Sequence, residues 1–152
     1  MRLTPVCLIA ACLLSSAVFT EAAAAPSEER AVIDTFQAFL NGLGHRDKAA
    51  MSATLVPGGS ATFIRNGKPV QLTFDVMTDK LSQPGTEIRE ERTRDVLVRI
   101  DGDIAVLWAP FEFYLAGKID HCGTDVATFA KSEGRWLISF IGDNHRTECK
   151  AH

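Results

Sequence analysis

The sequence predicts an α+β domain: one curved, mostly antiparallel sheet with about three helices packed against one face. Two observations carry this. Residues 86–143 form long runs rich in β-branched and aromatic residues, separated by Asp101-Gly102, Gly117-Lys118 and Glu133-Gly134. Such dipeptides between apolar runs mark hairpin turns. Residues 27–81 instead carry apolar residues at helical spacing, interrupted by Asn66-Gly67, a further hairpin signal.

The chain has 152 residues and a net charge of −3. Residues 1 to about 24 are expected to be a cleaved secretory signal peptide. Arg2 supplies a positive start, Val6 to Phe19 is too short to span a bilayer comfortably, and Ala22 to Ala25 offer small-residue cleavage sites. An uncleaved anchor, or a lipoprotein attached at Cys12, are the alternatives. Cleavage takes away Arg2 and Glu21, so the charge of the remaining domain, residues 25–152, stays −3. That domain is large enough for one real core. No basic patch stands out, which argues against nucleic acid as a partner. No second run suits a membrane, so no membrane contact is expected after cleavage. The expected location is exported, either periplasmic or secreted.

Cys7 and Cys12 leave with the leader, and Cys122 and Cys149 remain. An even pair in an exported domain reads first as a disulfide. Two free thiols and an intermolecular bridge are the competing readings. No CxxC spacing is present, and no metal is expected.

The elements follow in order. Ser27 caps a first helix through Leu43, with Glu28 and Glu29 in its first turn and Gly42 and Gly44 as stops. Asp47 caps a short helix over 48–54, stopped by Pro57-Gly58-Gly59. Strands at 60–65 and 69–72 flank Asn66-Gly67. A third helix covers 73–81. Four strands then form a meander over 86–100, 103–116, 119–131 and 135–143.

Three segments in this order resemble the NTF2-like superfamily, with its SnoaL-like and ketosteroid-isomerase-like branches. They are Asn41-Gly42-Leu43-Gly44-His45-Arg46-Asp47, Gly102-Asp103-Ile104-Ala105-Val106-Leu107-Trp108-Ala109-Pro110 and Gly134-Arg135-Trp136-Leu137-Ile138. The resemblance spans about 28–149. It implies a cone-shaped fold with a pocket between the bent sheet and the helices. It does not choose a function, because that fold hosts isomerases, dehydratases, cyclases and binding modules. The isomerase branch's first-helix tyrosine has no counterpart here, since Tyr114 is the only tyrosine. Asp47 falls near that branch's base, but capping explains it more simply.

Candidate site residues come from an assumed register. A two-residue loop at Gly117-Lys118 places Tyr114 opposite His121 and Trp108 opposite Ala127. One face then collects Trp108, Glu112, Tyr114, His121, Asp125, Phe129, Trp136 and Phe140. The other, more uniformly apolar, includes Phe111, Phe113 and Ile141 with Cys122, and reads as core. A bulge near Pro110 would swap the faces. The expected ligand-binding residues are Trp108, Tyr114, His121, Phe129, Trp136 and Phe140. His121, Glu112 and Asp125 are the candidate catalytic groups, because a histidine exchanges protons near neutral pH and a carboxylate can orient it.

The residues support a pocket for a small molecule, with no cofactor. A cofactor-independent isomerase, dehydratase or cyclase using His121 with a carboxylate is the alternative. A third reading makes the aromatic face a homodimer or interaction surface.

Overall fold

A computed structural model describes residues 27–149. The expected leader, with Cys7 and Cys12, lies outside the described residues. The elements are α1 (Glu28–His45), α2 (Lys48–Ser52), β1 (Leu55–Arg65), β2 (Lys68–Thr73), α3 (Phe74–Leu81), β3 (Arg89–Thr93), β4 (Leu97–Asp101), β5 (Ile104–Leu115), β6 (Lys118–Ser132) and β7 (Arg135–Asn144). Together they make an α+β fold with a large curved sheet.

Each helix starts on a side-chain cap. Ser27 Oγ accepts from the Arg30 N–H at 3.2 Å, Asp47 Oδ1 from Ala50 at 2.9 Å, and Thr73 Oγ1 from Val76 at 3.4 Å. The buried stripe of α1 is Val32, Phe36, Phe39, Leu40 and Leu43. The helix runs past both expected stop glycines to His45, and Arg46 takes the left-handed conformation there (φ 56°). Gly42 serves packing instead. A Cβ on it would meet Met51 Cγ and the Met51 backbone nitrogen at 2.9 Å, so its bare backbone lets α2 approach.

The sheet order is β2-β1-β7-β6-β5-β3, with β4 also paired to β5. Every pairing is antiparallel except β1 with β7, which is parallel. β1 begins at Leu55, earlier than expected, and its register on β7 shifts between Leu55 and Ser60, across Pro57-Gly58-Gly59. The single strand expected over 86–100 is two strands. Asp95, at φ 47°, breaks it, and β3 and β4 take successive stretches of the same edge of β5. Pro110 sits at the changeover, where its carbonyl accepts from the Arg94 N–H at 3.0 Å.

The β5–β6 register departs from the expected one. The loop is Ala116-Gly117, both with positive φ (49° and 77°), so Leu115 faces Lys118 and Tyr114 faces Ile119. An irregularity follows, and Phe113 faces His121. Trp108 consequently faces Val126, and Leu107 faces Ala127. One residue of slip exchanges the two faces of a strand. The Glu133-Gly134 turn does fall where the dipeptide indicates, pairing Ser132 with Arg135 and Phe129 with Ile138. Beyond a shift at Thr128/Phe129, Ala127 faces Ile141 rather than Phe140.

The concave face packs Ala105, Leu107, Ala109, Ala127, Phe129, Ile138 and Ile141 against α1 and α3. Burying each large apolar side chain is worth about 1.5–3 kcal/mol against exposure. The convex face leaves Ile104 (64% exposed), Leu97 (55%) and Trp108 (51%) in solvent. Cys122 and Cys149 form a disulfide spanning 27 residues. It lies beside the backbone pairing of Cys122 with Arg146, two N–H···O bonds of 2.9 Å.

Candidate functional site

Between α1, α3 and the concave sheet lies a cavity of about 410 Å³, partly open to solvent. Phe39, Leu40 and Leu43 come from α1, Met77 and Leu81 from α3, and Phe63, Leu72, Phe113, Leu115 and Ile141 from the sheet. Seven ionisable side chains interrupt this apolar wall: Arg65, Lys80, Arg89, Glu91, His121, Asp125 and Asp143. Mostly apolar walls with a few convergent polar groups are the usual make-up of a small-molecule site.

Two carboxyls define the polar part. Asp125, on β6, is 5% exposed, and its Oδ2 has no hydrogen-bond donor among the described residues. Glu91, on β3, keeps some solvent contact as a residue, yet its Oε1 is closed off and equally without a donor. The two carboxyls adjoin. Burial pushes Glu91 up to about 7, opposed by its interaction with Asp125 and helped by the charge of Asp143. Asp125 rises well above its ordinary value, first from burial, then from the neighbouring Glu91, with Arg65 opposing. Two buried acids side by side cannot both ionise cheaply, so they titrate as a pair.

Two of the cations lining the cavity have contacts of their own. Arg65 grips both oxygens of Asp143, the second arm at 2.8 Å. Arg89 donates to the Leu81 carbonyl at 2.8 Å and has no carboxylate partner among the described residues. Burial, and then the charge of Arg46, lower its pKa.

His121 lines the cavity as the middle ring of an aromatic stack. Its ring lies 4.8 Å from Phe113 and 4.3 Å from His145. Its Nδ1 pairs with Asp120 Oδ2 at 2.8 Å. Burial and the charge of His121 push His145 below the usual histidine range.

Of the residues singled out in the sequence, His121 and Asp125 reach the cavity, and the others lie elsewhere. Tyr114 and Glu112 are on the opposite face of β5 from Phe113 and His121. There Tyr114 Oη donates to Glu112 Oε2 at 2.8 Å, which raises the Tyr114 pKa, and Arg94 donates to Glu112 at 3.2 Å. Trp108 lines an outer groove with Leu97, Arg99, Val106 and Val126. Phe129 faces inward but is packed solid in the core at 1% exposure. Trp136 closes the far end of the fold, its indole N–H on Glu28 at 2.7 Å. Phe140 faces Thr128 on the convex side. The β5–β6 loop shifts the register by two residues and the irregularity beside Phe113 takes one back; that net slip accounts for Trp108, Glu112 and Tyr114, and the β6–β7 irregularity accounts for Phe140.

Glu91 and Arg89 were not legible as site residues. They sit in Arg89-Glu90-Glu91-Arg92-Thr93-Arg94-Asp95, a charged run that reads as a solvated edge. Only the alternation of half-buried Arg89, Glu91 and Thr93 with exposed Glu90 and Arg92 separates the faces.

Among the described residues, no group of three or more His, Cys, Asp or Glu is placed to hold a metal ion, and no helix is long and apolar enough to cross a membrane.

The sequence matches a family model described as "Putative lumazine-binding" over residues 27–139. The chain belongs to that family. A search of curated proteins finds no match. Solved structures share the fold at low identity. An NTF2-like protein of unknown function from Pseudomonas putida is 12% identical, covering 81% of this chain and 96% of that one, with a TM-score of 0.68. A structure titled "Putative Scytalone Dehydratase", from Novosphingobium aromaticivorans, is 13% identical over 82% and 89%, with a TM-score of 0.67. A protein of unknown function from Mycobacterium tuberculosis is 17% identical over 78% and 76%, with a TM-score of 0.65. The fold of this family member is therefore NTF2-like.

Proposed function

We propose that this protein binds a small, largely apolar molecule in the cone cavity, with the polar edge of that molecule turned toward Glu91 and Asp125. The observation that supports it is the hollow itself: about 410 Å³ left unfilled beside a tightly packed core, with apolar walls and a buried acid pair. Core space of that kind is otherwise closed by side chains. The family's description points to a pteridine such as lumazine as the first ligand to try. The Cys122–Cys149 disulfide supports a role outside the cytoplasm, in the periplasm or secreted.

Leu72 is half-buried and lines the cavity without belonging to the tightest core. A Leu72→Trp chain, with an indole filling the hollow, is expected to lose lumazine affinity at least tenfold while melting within a few degrees of the parent. Fluorescence titration and thermal unfolding check this. Undiminished binding by a folded Leu72→Trp chain would place the ligand somewhere else.

A second reading, proton-transfer catalysis of the isomerase, dehydratase or cyclase type, is favoured by one observation. Glu91 titrates near neutrality inside the cavity, which suits a group that gives and takes protons. On this reading Glu91 and Asp125 carry the proton, and His121 lies within the same walls. Turnover of a hydroxylated or enolisable cyclic substrate should then drop at least a hundredfold in Asp125→Asn. Equal turnover by Asp125→Asn and the parent chain would remove the reading.

A further inference from the structure

The charges lining the cavity define the ligand more narrowly. Three cationic side chains line it, Arg65, Lys80 and Arg89, and three carboxyls, Glu91, Asp125 and Asp143. Arg65 and Asp143 cancel in their two-armed pair. Burial disfavours ionisation of Glu91 and Asp125, so the pair does not fully offset Lys80 and Arg89. A cationic ligand is disfavoured by this balance, and a neutral or anionic one is accepted.

The hydrogen-bond inventory points the same way. Glu91 Oε1 and Asp125 Oδ2 are closed off from water with no donor among the described residues, so what the pair offers a ligand is acceptor oxygens. Arg89 has one donor on Leu81 and further N–H groups with no carboxylate to meet among the described residues. Glu91 and Arg89 are two apart on β3 and so share a face, and both line the cavity. A ligand that satisfies both must carry a donor and an acceptor on neighbouring positions of its edge.

Resting on the binding reading above, we propose that the cavity selects neutral or anionic heterocycles whose edge places a ring N–H against the Glu91–Asp125 pair and a carbonyl or enolate oxygen against Arg89. Cyclic amides, imides and ureides have that edge. The apolar walls from Phe39, Phe63 and Phe113 take the ring faces. A site built to receive an N–H rejects an analogue that lacks it far more strongly than an apolar pocket distinguishes size.

The test uses three probes on the protein, followed by calorimetry or ligand-observed NMR: quinazoline-2,4-dione, its 1,3-dimethyl derivative and naphthalene. The dione is expected to bind at least tenfold tighter than the dimethyl compound, which keeps both carbonyls but has no N–H. Arg89→Met should weaken the dione at least tenfold, and Asp125→Leu should erase the preference over the dimethyl compound. Naphthalene affinity should stay within about threefold in both variants. Equal affinity of the parent chain for dione and dimethyl compound overturns the proposal, whether or not the variants fold. Naphthalene binding with no dione preference overturns the proposal and leaves the cavity reading standing. Failure of all three probes overturns both.

Discussion

Raising the pH from about 4.5 through about 7 should destabilise this protein, by roughly 3 kcal/mol more than it destabilises a Glu91→Gln/Asp125→Asn chain. The sign follows from linkage. Glu91 goes from about 4.5 when unfolded to about 7 in the fold, and Asp125 is also raised. The folded protein therefore holds protons that the unfolded chain has released. Stability from the pair is fully present below the unfolded carboxylate range and is lost as pH climbs through the folded value. A shift of between two and three pH units on one group corresponds to roughly 3 kcal/mol.

The groups facing the pair set the window. Asp143 pushes it upward, Arg65 pulls Asp125 down, and Lys80, Arg89 and His121 complete the lining. His145 acts in the opposite direction. Its lowered pKa costs stability as pH falls through the ordinary histidine range, so the comparison must be made against the double variant, in which His145 is retained. Urea unfolding of both chains at pH 5, 6, 7 and 8 reads the difference. A constant gap between them over that range would show that the fold does not raise the two acids.

Cutting the covalent link is the second large effect. Cys122→Ser/Cys149→Ser should lower stability by about 3–4 kcal/mol, because the unfolded chain regains the freedom of a 27-residue loop. For a domain of this size the melting temperature should fall by roughly 10 °C. The loss should also be uneven. The disulfide holds residues 144–149 against β6, where Thr124 donates to Asn144 Oδ1 at 2.8 Å and the Cys122–Arg146 backbone pair closes. Gly123 lets that segment lie flat, since a Cβ there would come within 2.0 Å of the Asn144 carbonyl. Hydrogen exchange should therefore quicken first at Cys122, Thr124 and Arg146, with the amides of α1 keeping their relative protection. A melting temperature unchanged by the double substitution would mean that the tail is held by its other contacts alone.

The fold was legible in the sequence because its signals are local. Ser27, Asp47 and Thr73 announce helix starts, and Asn66-Gly67 and Glu133-Gly134 place two-residue turns correctly. The site was less legible because its signals depend on register. Ala116 occupies a left-handed turn position that favours glycine or asparagine, so nothing in the side chain marks the loop there. The irregularity beside Phe113 then leaves β5 and β6 one residue from the expected alignment. That slip moved Tyr114 and Trp108 to the convex face and brought Phe113 beside His121. Asp125 could be named from its polar type in an apolar strand. Glu91 could not, because its partner across the cavity lies on a strand that it does not neighbour in sequence or in the sheet.

The most direct test is a crystal structure of the protein with the tightest-binding of the probes named above. The ligand is expected inside the cone, its ring between Phe39 and Phe113 and its polar edge on Glu91 and Asp125. A ligand seated instead in the outer groove beside Trp108, with side chains closing the cone, would contradict the assignment of this cavity as the binding site.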